Sequence, residues 1–420
     1  MVELNGTPEQ ARDATAPARP VDLVVGLSDA KAGEDISRTA NLIRDALRQF
    51  RQPVQAAILY KSGFAPPQAP SEFQQDDSLR LLSYAPATPD PSATFAQTIS
   101  ADYRAIVTAS ENLNARAFAL IASDVDAVTP EWIQRLTAPV LEEHFDLVSP
   151  CYVFHRFEGV LTSGILYPLI RSIYGKRIQN PLGPDFGGST RFLQQIMQTD
   201  SAKSKSGVVA RPTVPLGPEA VSRGFQVCQA NLGERKYPPV DWKNLSSLLA
   251  DVLGPLFAAM ERDAPLWQRV RGSEPVATYG PPLPSVTNNV EVDVRRLLEP
   301  FQLGFRNLQE IWALLLPPKT LFELQRLGRL GPEEFRMPDE LWVRIIYDFS
   351  LGYRLRTISR DHLLRALTPL YLGWVASYAI EAEKMDARST EHRIERLCAA
   401  FEAGKPYLVS RWRWPDRFNP

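Results

Sequence analysis

Asp124 and Asp126 stand one residue apart where an apolar run, Phe118 to Ser123, stops. Their spacing offers two hard oxygen ligands to a divalent cation, and a cation held there would neutralise a diphosphate. The competing reading is a polar turn before a helix. Thr129-Pro130-Glu131-Trp132 follows, with a hydroxyl residue, a proline and an acid in helix-start order. A third carboxylate, Asp185, stands between Pro184 and Phe186 in a stretch that also holds Gly183, Gly187 and Gly188. Other chemistry is thinly supplied. The histidines are His144, His155, His362 and His392, and no two have metal-ligand spacing. Cys151, Cys228 and Cys398 lie far apart and form no Cys-x-x-Cys pair, so neither a disulfide framework nor a zinc cluster is indicated. That usage fits a reducing cytoplasm.

These carboxylates need a scaffold. Val21–Leu27 is a continuous apolar run, as expected of a central parallel strand covered on both faces. A helical pattern over residues 35–50 carries Ile36, Ala40, Ile43 and Leu47 on one face. Val54–Tyr60 predicts a second buried strand and Ser78–Pro86 a third. A helix over 92–113 leads to Arg116–Ser123, and a helix over 130–143 leads to Phe145–Val153. Strands alternating with helices imply an α/β sheet with right-handed crossovers, whose functional sites lie at the carboxyl ends of the strands. Asp124 and Asp126 fall at such an end. Residues 151–229 are less regular, 241–271 are helical again, and 289–420 predict a helical C-terminal region. The expected division is a disordered tail over 1–20, a sheet domain over 21–280 and the helical region over 289–420.

Composition closes off several classes. Forty-seven basic against 48 acidic residues give a formal charge of −1, so no global field favours nucleic acid or an anionic membrane. The first twenty residues lack the apolar core of a signal peptide. The longest apolar run, Pro369–Ile380, falls short of the ~18 residues that span a bilayer and reads as a buried helix. No G-x-G-x-x-G follows the first strand, which has Gly26 and Gly33 only, so a nicotinamide site is weakly supported. Lys176 and Arg177 read as a solvated helix end. Phe401, Tyr407, Trp412 and Trp414 read as helix docking rather than a sugar platform.

The stretches "TPEWI", "GILYPLIRSIYGKRIQNPLGPDFGGS", "CQANLGE", "PLYLGW" and "FEAGKPYLVSRW" resemble the retaining, GT-A-fold glycosyltransferases typified by mannosylglycerate and glucosylglycerate-type synthases. The resemblance spans most of the chain after Pro20. It implies a GT-A, Rossmann-like mixed sheet and transfer of a hexose, with retention, from a nucleoside-diphosphate sugar to a small polar acceptor such as glycerate. It assigns Gly26, Ser28, Lys31 and Lys61 to the donor and Asp124 and Asp126 to Mg²⁺ or Mn²⁺. Asp185 falls beside the anomeric carbon, and His155, Arg156, Glu158 and Thr162 at the acceptor. A homodimer or a heteromeric partner is compatible with it.

Departures from the family pattern are also visible. Anchored on "TPEWI", the family's two acids fall on Ala122 and Asp124; a local shift uses Asp124 and Asp126 instead. The late metal histidine falls near Tyr237, and a protonated phenol is a poor divalent ligand. The turn after the second strand, Tyr60-Lys61-Ser62-Gly63, has no acid. These departures keep a second expectation open, a catalytically inactive pseudo-glycosyltransferase that serves as a binding or regulatory partner.

Overall fold

A computed structural model describes residues 3–4, 20–27, 33–61, 78–84, 95–121, 128–153, 156–181, 185–203, 216–234, 244–283, 292–383 and 385–415. Asp124, Asp126, Ser28, Lys31, His155, Gly183 and Tyr237 lie outside the described residues, as does the side chain of Lys61. The chain divides into two units. One comprises 1–153, 180–236 and 276–283; the other comprises 154–179, 237–275 and 284–420. The helical unit therefore takes in two segments that the sequence reading grouped with the sheet.

The strands are β1 (Glu3–Leu4), β2 (Leu23–Leu27), β3 (Ala56–Lys61), β4 (Leu79–Tyr84), β5 (Ala117–Ile121), β6 (Leu147–Val153), β7 (Lys176–Arg177), β8 (Phe186–Ser189), β9 (Val227–Glu234), β10 (Glu274–Pro275) and β11 (Ala277–Tyr279). Nine of them form one sheet in the order β1-β4-β3-β2-β5-β8-β6-β9-β11. Every pairing in it is parallel except those of β8, which runs antiparallel to both β5 and β6. This is the Rossmann-like mixed α/β sheet that the sequence resemblance implied. All five residues of β2 and of β5 are buried, which explains why both read as unbroken apolar runs.

Helices α1 (Gly33–Leu47), α2 (Phe95–Asn112), α3 (Pro130–Glu143), α5 (Thr190–Lys203) and α6 (Leu216–Ser222) belong to this unit. Phe118 and Leu120 of β5, Phe186 of β8, Ile106 of α2 and Phe192 of α5 meet in one core. The start of α3 is built by its sequence. Thr129 caps it, its hydroxyl accepting from the Trp132 amide at 3.4 Å, and Pro130 occupies the first turn. β8 exists because two of its residues lack side chains. A Cβ on Gly187 would stand 1.7 Å from the Leu136 carbonyl oxygen, and one on Gly188 would stand 2.7 Å from the Phe118 ring.

The helical unit holds α4 (Tyr167–Tyr174), α7 (Leu245–Arg262), α8 (Ala264–Trp267), α9 (Val294–Ala313), α10 (Pro318–Leu327), α11 (Asp339–Leu355), α12 (Arg360–Ala382) and α13 (Ala387–Arg413). By length and composition α12 could cross a membrane, but 78% of its most apolar window is buried within the protein, as in a core helix. Trp374 of α12 stacks on Trp342 and on Tyr378 at ring separations of 5.6 Å. The C-terminal aromatics largely dock helices. Phe401 packs edge-on to Tyr347, Tyr407 donates to Asp348, and Trp412 packs edge-on to Trp267, while Trp414 remains 60% exposed. Lys176 and Arg177 directly follow the end of α4, but as strand β7. It pairs with β10, and Lys176 forms an ion pair with Glu274.

Candidate functional site

In a parallel sheet the carboxyl ends of the strands share one edge, and there β2, β3, β5, β6 and β9 end at Leu27, Lys61, Ile121, Val153 and Glu234. The antiparallel β8 brings a residue from a different part of the chain to this edge by its amino end. Phe186 pairs with Leu120 in the last pair of this ladder, so Asp185, the residue before it, stands at the end of β5, whose final residue Ile121 is three before Asp124 in sequence. Asp185 is wholly enclosed, with 0% of its surface exposed. A buried carboxylate needs hydrogen-bond donors, and the Tyr152 hydroxyl of β6 donates to Asp185 Oδ2.

Tyr152 is itself held from two directions. The Trp132 ring, in the first turn of α3, lies 5.7 Å from it, tilted at 46°. On the other side, the register between β6 and β9 slips: Cys151 pairs with Asn231 but Tyr152 with Gly233, which leaves Leu232 as an extra residue. Gly233 has φ +100° and open space where a side chain would project, so glycine serves the backbone of this bulge rather than packing. The neighbouring Cys151 thiol is pushed up to about 12 by burial and stays protonated.

Among the described residues, the other enclosed acids of this unit have structural partners. Asp146, at the entry to β6, accepts from Ser189 at 2.9 Å, Arg191 at 2.6 Å and the Gln226 amide at 3.1 Å. Glu219 pairs with Arg223 at 2.8 Å, one helical turn away. Among the described residues, no three His, Cys, Asp or Glu side chains gather to hold a metal ion. The described acids at the strand edge are Asp185, enclosed with a phenol on it, and Glu234 at the exposed end of β9, and these two do not make a cation cage.

The remaining expected site residues take diverse places. Gly26 lies in β2 between Leu59 of β3 and Leu120 of β5, and a Cβ there would meet Ile106 at 2.6 Å. Its lack of a side chain therefore lets α2 close on the sheet. Arg156 is carried by the helical unit and is committed there: its Nη1 donates to the carbonyls of Ala382, Glu383 and Met385 at 2.9, 3.0 and 3.2 Å. Those carbonyls close the end of α12, where a cation also suits the helix dipole. Arg156 thus has a structural role that its family position did not suggest. Glu158 is half-buried in the turn beyond it. Thr162 opens a π-helical turn, Thr162–Leu166, and its carbonyl accepts from the Tyr167 amide. Tyr152 and Trp132 were not singled out from sequence. The available signal was a tyrosine inside a strand predicted to be buried, since a buried phenol requires a partner.

No family model matches the chain, and no curated protein matches it. Solved structures do. Glucosyl-3-phosphoglycerate synthase from Mycobacterium tuberculosis, in complex with Mg²⁺ and uridine diphosphate, is similar at 16% identity and a TM-score of 0.37, over 58% of this chain and 80% of that one. The same enzyme with Mn²⁺, UDP-glucose and phosphoglyceric acid is similar at 17% identity and a TM-score of 0.35, with the same coverage. Mannosyl-3-phosphoglycerate synthase from Rubrobacter xylanophilus is similar at 14% identity and a TM-score of 0.36, over 59% of this chain and 76% of that one. At such values the likeness carries over neither an activity nor a site.

Proposed function

We propose that the chain is a glycosyltransferase that moves a hexose, with retention, from a nucleoside-diphosphate sugar to a small polar acceptor of the glycerate class. The observation that carries this reading is the register of β8: Phe186 pairs with Leu120, which puts the preceding residue, Asp185, at the end of the strand that continues, in sequence, into Asp124 and Asp126. A transferase of this kind needs acids at one sheet edge, to hold the diphosphate's counter-ion and to face the sugar carbon. In this reading Asp124 and Asp126 hold Mg²⁺ or Mn²⁺, which when bound neutralises the departing diphosphate. Asp185, enclosed in this structure, lies beside the sugar carbon, Ser28, Lys31 and Lys61 serve the donor, and His155, Glu158 and Thr162 serve the acceptor. Arg156 drops out of the acceptor set because the end of α12 occupies it. Three buried thiols without disulfides suit a cytoplasmic setting.

Calorimetric titration with UDP and with GDP, each with and without Mn²⁺, tests the reading. One nucleotide is expected to bind and to require the metal. Binding without metal transfers the neutralising role to Lys31 and Lys61. Binding without turnover of any hexose donor favours the partner role. No binding of either nucleotide overturns the proposal.

A further inference from the structure

Tyr152 is a residue that neither the carboxylate pattern nor the family resemblance brings out, and three independent features converge on it. Its hydroxyl donates to Asp185, its ring packs on Trp132, and a bulge with a glycine at φ +100° fixes its place in the ladder between β6 and β9. Trp132 belongs to the helix that begins directly after the acidic segment, capped at Thr129. Each feature constrains a different degree of freedom. The kinked backbone of β9 flanks the tyrosine's strand, the indole restrains the ring, and the hydroxyl meets a carboxylate oxygen. A phenol fits this role because it is rigid and donates without adding a counter-charge to the carboxylate.

We propose that Tyr152 is a positioning residue that holds the enclosed Asp185 carboxylate in place directly beneath the strand edge on which the sugar of a bound nucleoside-diphosphate hexose sits. The proposal rests on the glycosyltransferase reading. Tyr152 acts through Asp185 and touches no substrate itself. Without its hydroxyl the carboxylate keeps its charge but loses a donor that helps to fix its plane, so the support beneath the sugar weakens while contact with the nucleotide does not.

The test compares each nucleotide with its hexose conjugate, UDP with UDP-glucose and GDP with GDP-mannose, by calorimetry in Mn²⁺. It uses the full chain, Tyr152→Phe, Asp185→Asn and the double variant. Tyr152→Phe keeps the ring on Trp132 and removes only the hydroxyl. Affinity for the sugar nucleotide is expected to fall about tenfold in either single variant, the size of one hydrogen bond to a charged group. The parent nucleotide should bind as before, and the double variant should fall no further than the singles. A merely structural role would weaken the nucleotide and its conjugate together, or neither, and that result overturns the positioning role while leaving the glycosyltransferase reading intact. Asp185→Asn, altered at the other end of the same hydrogen bond, must show the same selectivity. A wild-type chain that binds none of the four probes overturns both readings, and the pair is then an element of stability alone.

Discussion

Each unit of the molecule encloses a carboxylate beneath a tyrosine, and the two differ in what surrounds the pair. In the helical unit, Asp348 of α11 accepts from the Tyr407 hydroxyl with both oxygens at 2.9 Å and pairs with Arg411 at 2.9 Å. Both partners come from α13, so the cluster ties one helix to another in a core. Burial pushes the Asp348 carboxyl up to about 7 despite the opposing pull of Arg411 and Tyr407. In the sheet unit, Asp185 takes its phenol from the neighbouring strand and stands where strand ends gather. The first arrangement joins two helices through a buried charge; the second fixes one carboxylate at an edge. A buried acid is therefore informative by its place in the topology rather than by burial itself.

Breaking the ion pair should give the larger effect on stability. Arg411→Met leaves the Asp348 carboxylate enclosed without its cation, and removal of one partner of a buried pair costs about 3–5 kcal/mol. The cost depends on pH with a definite sign. Asp348 already has a folded pKa above its unfolded value, and losing Arg411 raises it further. At pH 5 the folded variant binds the proton and hides a neutral group; at pH 8 it must either hold a charge or retain a proton that the unfolded chain releases. Urea unfolding should therefore show a larger loss at pH 8 than at pH 5. An equal loss at both values would mean that Arg411 contributes packing, not charge.

A steric change in the sheet unit comes next. Gly187→Ala drives a methyl group against the Leu136 carbonyl, and the obstacle is helix backbone rather than a side chain that can swing away. The expected cost is about 1–3 kcal/mol, together with a displacement of β8 that moves Asp185. The variant should then lose affinity for a sugar nucleotide as well as stability. A stable Gly187→Ala that binds its ligand normally would show that the position of Asp185 does not depend on the close approach of α3 to β8.

Legibility in the sequence followed the same division. The sequence predicts a helix over 130–143 and α3 is found there, because its cap, its first-turn proline and its apolar face are all local signals. β2 and β5 were visible as apolar runs because both faces of the sheet are covered. β8 was not visible. Phe186-Gly187-Gly188-Ser189 reads as a turn, and it is a strand only because Leu136 and Phe118 approach where the glycines leave room. Asp185 stood out from its glycine-rich setting, but its partner did not, because Tyr152 reaches it from another strand, 33 residues away in sequence, which no local pattern encodes. Arg156 was misleading for a related reason. Its neighbours in sequence matched an acceptor motif, while its neighbours in space are the last carbonyls of a helix more than two hundred residues away.

The mildest test concerns a third buried charge, held by dipoles instead of a counter-ion. Lys405 of α13 donates to the carbonyls of Ser172 at 2.6 Å, Ile173 at 3.4 Å and Val270 at 2.9 Å, the first two in the last turn of α4. Burial pushes its ammonium down to about 8, partly opposed by Glu402. A lysine whose folded pKa lies below its unfolded value binds fewer protons when folded than when unfolded between those two values, so its contribution to stability rises with pH from about 8 towards the unfolded value, about 10.5. The buried thiols of Cys151 and Cys398, each pushed up to about 12, and that of Cys228, pushed up as well, act in the opposite direction. They do so equally in any variant that keeps them. The informative quantity is thus a difference: wild type minus Lys405→Met, measured by urea unfolding at pH 8, 9 and 10. That difference should move steadily in favour of the wild type as pH rises. A difference that stays flat would mean that the three carbonyls hold the ammonium as firmly as water does, and that the helical unit tolerates a buried cation without the paired acid that Arg411 has in Asp348.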